Sequence, residues 1–237
     1  MNPTLFFLPG WGLGRGPLLA TAEAVGGTII DLPGYHETPL IADFFAAADA
    51  IAERLPAGAN LAGWSLGAQL ALAVAARHPE KVGKLLLVAG TASFVQRAAW
   101  PHAMPSATLA EFAAAVAADP AAMLPRFVGA FNRGDRRAKA VSRELLELAE
   151  RRPPADVLAT GLDWLREVDL RGLAPQLAMP TLLLHGGADP LMPLAAGEAL
   201  AALIPGARLV VFADCAHAPF LSRPADFNAA LSRFLHD

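Results

Sequence analysis

Ser65 stands between two glycines in Gly63-Trp64-Ser65-Leu66-Gly67, inside the apolar run 61–73, LAGWSLGAQLALA. Each glycine carries an entropic cost on ordering, so a plain buried segment has no use for two of them. A sharp strand-to-helix turn has such a use. The chain doubles back, the residues two before and two after the serine must be small, and the hydroxyl is lifted clear at the top of a sheet. Asn60-Leu61-Ala62 reads as the strand and 66–78 as the helix that this turn requires. The chemistry is nucleophilic acyl transfer. A serine hydroxyl is a weak nucleophile and needs a base, itself oriented by a third group.

For this kind of turn the chain order is serine, then an acid, then histidine. Asp189 lies in GGADPLMP after the apolar run TLLLH (181–185), and His217 lies in ADCAHAPF after RLVVF (208–212). In a parallel sheet both loops open on the edge where Ser65 stands, so the three can converge. Taken alone, Asp189 before Pro190 reads equally well as a turn residue, and a lone histidine is usually structural. His78 looks like a helix end before Pro79 and His236 lies at the terminus, whereas His217 follows the last strand among small and apolar neighbours. Cys215 reads as a small packing residue. Acyl transfer also needs donors for the developing oxyanion. The backbone N–H of Leu66 is one. Trp11, in the loop PGWGLGRG (9–16) after the first strand, is the expected second.

Gly10, Gly12, Gly14 and Gly16 also suggest a dinucleotide fingerprint, with Asp31 ending the next strand. The spacing fails, because Gly-x-Gly-x-x-Gly needs glycine at 15 or 17, where Arg15 and Pro17 stand. There is no P-loop lysine, His-Glu-x-x-His helix or cysteine pair. No cofactor and no metal are expected.

The elements that must position these residues follow from hydrophobic patterning. Segments 4–8, 28–30, 60–62, 84–89, 181–185 and 208–212 are short, continuously apolar runs, as in strands covered on both faces of a parallel sheet. Segments 43–55, 66–78, 194–203 and 225–236 have helical period. The alternation predicts an α/β doubly wound, mostly parallel sheet. Between about Ser93 and Met179 the rhythm stops, and Pro101, Pro105, Pro120, Pro125 and Pro153-Pro154 punctuate an Ala-, Arg- and Leu-rich stretch. This predicts a helical cap at 93–178 inserted into a core made of 1–92 and 179–237, over the carboxyl ends of the strands where open α/β sheets bind ligands.

With 237 residues, 54% of them apolar, the chain is long enough for one such domain. The apolar stretches near 44–52 and 66–76 are broken by Asp49, Gln69 and Arg77, so no membrane span is expected. The start MNPTLFFLPG lacks the basic region and apolar length of a signal peptide. One cysteine excludes an internal disulfide framework, and a cytosolic monomer is expected. The net charge of −3 predicts no affinity for nucleic acid. Charge is unevenly placed. Residues 126–152 carry eight basic side chains (Arg126, Arg133, Arg136, Arg137, Lys139, Arg143, Arg151, Arg152) against four acidic ones, a local +4 that leaves −7 elsewhere. The window reads either as a solvated helix face or as a docking surface for an acidic partner.

With these motifs in view the chain resembles the α/β-hydrolases that carry a helical cap. Among them it is most similar to the pimeloyl-[acyl-carrier protein] methyl ester esterases of biotin synthesis. The resemblance covers nearly the whole chain and rests on PGWGL (9–13), DLPGY (31–35), GWSLG (63–67), Trp100-Pro101, VDLR (168–171) and AHAPFLSRP (216–224). It implies an α/β-hydrolase fold, a Ser65–Asp189–His217 triad, and oxyanion and substrate contacts at Trp11 and Leu66. It further implies acyl-chain contacts from Phe127, Val128, Gly129, Ala130 and Phe131. The basic residues Arg126, Arg133, Arg136, Arg137 and Arg143 fall where the family docks its acidic carrier protein. The implied substrate is an ester borne on acyl-carrier protein. The chain departs from the family at Pro9, where histidine is usual, at Gly67-Ala68 in place of Gly-Gly, and at HETP (36–39). A broad carboxylesterase, a C–C hydrolase or lyase on the same scaffold, and a non-catalytic binding homologue stay open as other readings.

Overall fold

The computed structural model describes residues 4–150 and 152–237. Six strands form one parallel sheet: β1 (Leu5–Leu8), β2 (Thr28–Ile29), β3 (Ala59–Trp64), β4 (Val82–Val88), β5 (Thr181–Gly186) and β6 (Arg208–Phe212), in the spatial order β2-β1-β3-β4-β5-β6. Each apolar run of the sequence is a strand. The central ones are covered on both faces, as continuous hydrophobicity requires: every residue of β3 and β5 is buried. The edge strands β2 and β6 are more exposed.

The helices are α1 (Leu19–Ala24), α2 (Phe44–Glu53), α3 (Leu66–Arg77), α4 (Ser106–Ala118), α5 (Pro120–Phe131), α6 (Ala138–Leu148), α7 (Ala155–Glu167), α8 (Leu194–Leu203), α9 (Pro219–Ser222) and α10 (Pro224–His236). α3 is buried from Leu66 through Ala75, between the sheet and α2. An apolar circumference suits that position. Four helices, α4 to α7, lie in the chain between β4 and β5. Proline punctuates them as patterning suggests: Pro105 and Pro154 are N-caps, and Pro120 is the first residue of α5 behind the Asp119 cap, whose carboxylate accepts from Ala122 N–H at 3.0 Å. Pro125 is different. It sits inside α5, which continues past it to bury Val128 and Phe131.

Strand order and register place the site. From β1 the chain goes outward to β2, then crosses to β3 on the other side, so the topological switch lies between the carboxyl ends of β1 and β3. Leu8 is level with Gly63, Trp64 with Val88, Leu87 with Leu183, and Gly186 with Phe212. The loops after β1, β3, β5 and β6 therefore leave one edge of the sheet together.

Away from that edge, Asp49 on α2 bonds Arg77 at 2.8 and 2.7 Å and His78 at 2.7 Å at the end of α3. The Arg77 guanidinium and then His78 hold the Asp49 carboxyl down at about 2, below its usual 3.8. A depressed carboxylate contributes stability above its unfolded value and loses it as pH falls through the folded one. Asp49→Asn is therefore expected to lower the unfolding midpoint at neutral pH and to leave it nearly unchanged near pH 2. An equal loss at both pH values in thermal unfolding would disprove this pairing effect.

Candidate active site

Ser65 joins β3 to α3 with φ 58° and ψ −117°, a conformation that L-residues rarely adopt and that stores about 1–3 kcal/mol of strain. The two flanking glycines explain how so tight a turn is possible. A Cβ on Gly63 would run into the backbone of Gly67 and Ala68, and one on Gly67 into the carbonyls of Leu8 and Pro9. The loop after β1 passes beside the serine, since a Cβ on Gly10 would lie 3.3 Å from the Ser65 Cβ. Its path is held from both sides. The Trp11 indole Nε1–H donates to Leu158 O on α7 at 3.0 Å, and Gly12 N–H donates to the Tyr35 hydroxyl at 2.8 Å. Burial pushes the Tyr35 phenol up to about 12, so it accepts as a neutral group.

Asp189 and His217 meet. His217 Nδ1 lies 2.7 Å from Asp189 Oδ2, and the two residues are 1% and 4% exposed, so water does not compete for the bond. The other carboxylate oxygen accepts the N–H groups of Leu191 and Met192, both at 2.9 Å. Met192 O in turn accepts from His185 Nε2 at 2.7 Å. Burial holds the His185 imidazole below the ordinary histidine range. Nε2 carries the proton, because a carbonyl can only accept.

Trp64, the residue before the serine, donates its Nε1–H to His217 O at 2.9 Å, and its ring packs on Phe220 with centroids 5.0 Å apart. The Ser65 turn and the His217 loop are thus tied directly. Trp64→Phe keeps a six-membered ring but removes the rest of the indole and leaves a buried carbonyl without its donor, with an expected loss of about 1–3 kcal/mol or more and a lower kcat. Urea unfolding together with ester kinetics checks it, and unchanged stability would disprove the assignment.

Ser65 and His217 line one cavity of about 390 Å³, at the small end of ligand pockets, which run from about 300 to 1,000 Å³. Its remaining wall is almost wholly apolar: Trp11, Leu13, Phe94, Leu109, Phe112, Met123, Leu162 and Leu165. Of the stretch 127–131, Phe127, Ala130 and Phe131 line it, and Phe131 also packs edge-on to His217 at 5.1 Å. Val128 and Gly129 do not. The stretch is one helix, and 3.6 residues per turn carry the cavity face through 123, 126–127 and 130–131. Val128 is turned into the helical packing at 0% exposure and Gly129 faces outward. Of the stretch expected to contact the acyl chain, those two residues do not line this cavity.

Residues 26–224 match the α/β-hydrolase fold family. The chain is 42% identical over 95% of both chains to a pimeloyl-[acyl-carrier protein] methyl ester esterase of Aromatoleum aromaticum. A second esterase of that name, from Chromobacterium violaceum, is 37% identical over 99% of this chain and 94% of its own. The chain belongs to the α/β-hydrolase family, among its pimeloyl-[acyl-carrier protein] methyl ester esterases. An esterase structure from Exiguobacterium antarcticum superposes with a TM-score of 0.86 over 100% of this chain and 94% of its own, at 22% identity, which bears on fold alone.

As a member of that family the α/β-hydrolase is a carboxylic ester hydrolase, and its five singled-out arginines divide into three kinds. Arg126 and Arg133 are exposed and line the cavity, so they stand at its rim, with no ion pair among the described residues. Arg143 is on α6 with its side chain 76% exposed and a loose pair to Glu147 at 3.8 Å. Arg136 and Arg137 are spent on the core of the hydrolase: Arg136 pairs with Asp214 at 3.0 Å, and Arg137 donates to Leu221 O and Ser222 O. Arg151, one of the eight basic residues, lies outside the described residues. Among those residues no helix is long and apolar enough to cross a membrane, and no group of three or more His, Cys, Asp or Glu could hold a metal ion.

Sequence reasoning passed over Trp64 and Asp135. Trp64 sits inside the motif, so its variable position could have been asked for a partner. Asp135 among arginines reads as a solvated charge, and nothing in its neighbours reveals that it is buried.

Proposed function

We propose that Ser65, His217 and Asp189 are nucleophile, base and orienting acid in hydrolysis of the methyl ester of a pimeloyl chain borne on acyl-carrier protein, a step of biotin synthesis in the cytosol. The observation that carries the chemistry is the buried 2.7 Å bond from His217 to Asp189, on a histidine that shares its cavity with a strained serine. With Nδ1 committed to Asp189, Nε2 is the nitrogen left for the serine. Ser65 Oγ attacks the ester carbonyl as Nε2 takes its proton. The N–H groups of Leu66 and Trp11 receive the oxyanion. Leu66 opens α3, where first-turn N–H groups have no carbonyl of their own helix to bond. Methanol departs with the proton from His217. Water, deprotonated by the same nitrogen, then attacks the acyl-enzyme and releases a free carboxylate and Ser65.

The substrate follows from the relatives together with the cavity. Apolar walls suit a methylene chain, and residues 93–178 act as a lid over the core formed by 1–92 and 179–237. Arg126 and Arg133 at the rim suit an acidic carrier. Arg143 is a peripheral contact at most, and Arg136 and Arg137 hold the protein itself together.

The test compares the carrier-borne pimeloyl methyl ester with a short soluble ester. The double variant Arg126→Glu/Arg133→Glu is expected to lower kcat/KM on the carrier ester about 10-fold or more at low salt, less at high salt, and to spare the short ester. Arg137→Ala is expected to lower thermal stability and to affect both substrates alike. Equal activity of wild type on both esters, with no effect of charge reversal, would leave an esterase of broad specificity instead.

A further inference from the structure

The loop 132–137, between α5 and α6, belongs to the helical insertion, yet Asp135 and Arg136 reach into the loop that carries His217. Arg136 N–H donates to Asp214 O at 2.9 Å, and its guanidinium to the Asp214 carboxylate at 3.0 Å. Asp135 reaches furthest in. It is 7% exposed and has no ion pair among the described residues, which makes it an expensive place for a carboxylate unless its oxygens are used. They are. Oδ2 accepts Ala216 N–H at 2.9 Å, and Oδ1 accepts the Ser222 hydroxyl at 2.8 Å and Arg137 N–H at 2.7 Å.

Ala216 immediately precedes His217. The histidine loop, 213–218, has no helix or strand to hold it. Besides Arg136 on Asp214 and the Ala188 N–H on Cys215 O at 2.9 Å, the contacts nearest the histidine are Asp135 on Ala216 N–H, Trp64 on His217 O, and Asp189 on His217 Nδ1. The loop 132–137 also abuts the acid loop, since a Cβ on Gly134 would stand 3.2 Å from the Ala188 Cβ.

We propose that Asp135 is a positioning residue that fixes the catalytic histidine from the helical insertion, by holding the peptide N–H on which the His217 backbone hangs. The inference rests on the esterase reading above for its effect on rate. It does not touch substrate, so its loss acts on geometry: a displacement of about 1 Å in a catalytic group costs up to about 100-fold.

Asp135→Asn is nearly isosteric but keeps one acceptor oxygen, so an amide N–H must face either Ala216 N–H or the Ser222 and Arg137 donors. On a short p-nitrophenyl ester, kcat is expected to fall about 10-fold with KM within about twofold. The low-field proton resonance of the His217 Nδ1–H held against Asp189 should shift or broaden. Ser222→Ala, which removes one donor and lets the carboxylate turn, should show the same split in weaker form, about threefold in kcat. A merely structural Asp135 would lower the melting temperature and leave both kcat of the folded protein and the resonance unchanged. That result overturns the proposal. Should Asp135→Asn fail to fold, Ser222→Ala decides on the same two readouts. Ser65→Ala run alongside separates the two ideas. If it retains wild-type ester activity, the triad reading fails, while the proton resonance still decides whether Asp135 positions His217.

Discussion

Ser65→Ala is expected to lower kcat on every ester by about 10⁵- to 10⁶-fold while leaving the fold intact. His217→Ala should cost about as much, and the double variant no more than either alone. The reason is that the residues act as one unit. Without the hydroxyl the histidine has no proton to take, and without the histidine the hydroxyl is no nucleophile. Asp189→Asn should cost less, because it spoils the orientation of His217 and leaves the nucleophile in place. Ser65 is 8% exposed in a turn whose shape is set by neighbouring backbone, so alanine fits without rearrangement. Thermal unfolding should therefore show Ser65→Ala within about 1 kcal/mol of wild type. Losses that multiply in the double variant, or residual activity above about 1% in Ser65→Ala, would overturn the triad.

Gly67→Ala should be among the most damaging single methyl additions in the protein, with a loss above about 4 kcal/mol or no folded product. The added Cβ would meet the carbonyls of Leu8 and Pro9. The Leu8 carbonyl cannot retreat, because Leu8 ends β1, which is paired on both sides, with β2 and with β3. Over-packing in a flexible region relaxes, but here the obstacle is backbone inside a sheet. Gly206→Ala is the control. Gly206 has φ 69° and open space around it, so alanine there carries only the left-handed conformational penalty of about 1–2 kcal/mol. Urea midpoints for the two variants measure the difference. If Gly67→Ala proves no worse than Gly206→Ala, steric exclusion is not the reason for glycine at position 67.

Membership of the family and the sheet were legible because each is written in local signals. Six continuous apolar runs alternating with helical segments read as strands of a parallel sheet, and a Gly-x-Ser-x-Gly between strand and helix has few other uses. Asp189 and His217 could be picked from other acids and histidines because strand ends in a parallel sheet share one edge, a rule that needs no coordinates. The break in strand rhythm between 93 and 179 was legible, and helices α4 to α7 lie there. Which faces those helices present was not, and Val128 and Gly129 were grouped with Phe127 and Phe131 because the resemblance takes the stretch as one.

The charge window shows the same limit more sharply. Composition counts Arg126, Arg133, Arg136 and Arg137 alike, since each contributes one positive charge. The fold separates them: two rim a cavity, and two are bonded to the histidine loop and to α9, about 80 residues away in the chain. Asp135, counted as a charge that merely offsets an arginine, is buried against Ala216 N–H. Sequence alone determined which residue types can do acyl transfer and on which edge they meet, because periodicity and chain order are local or topological properties. Only tertiary structure decided which polar groups face solvent and which hold the histidine in place, because burial depends on what the rest of the chain brings against them.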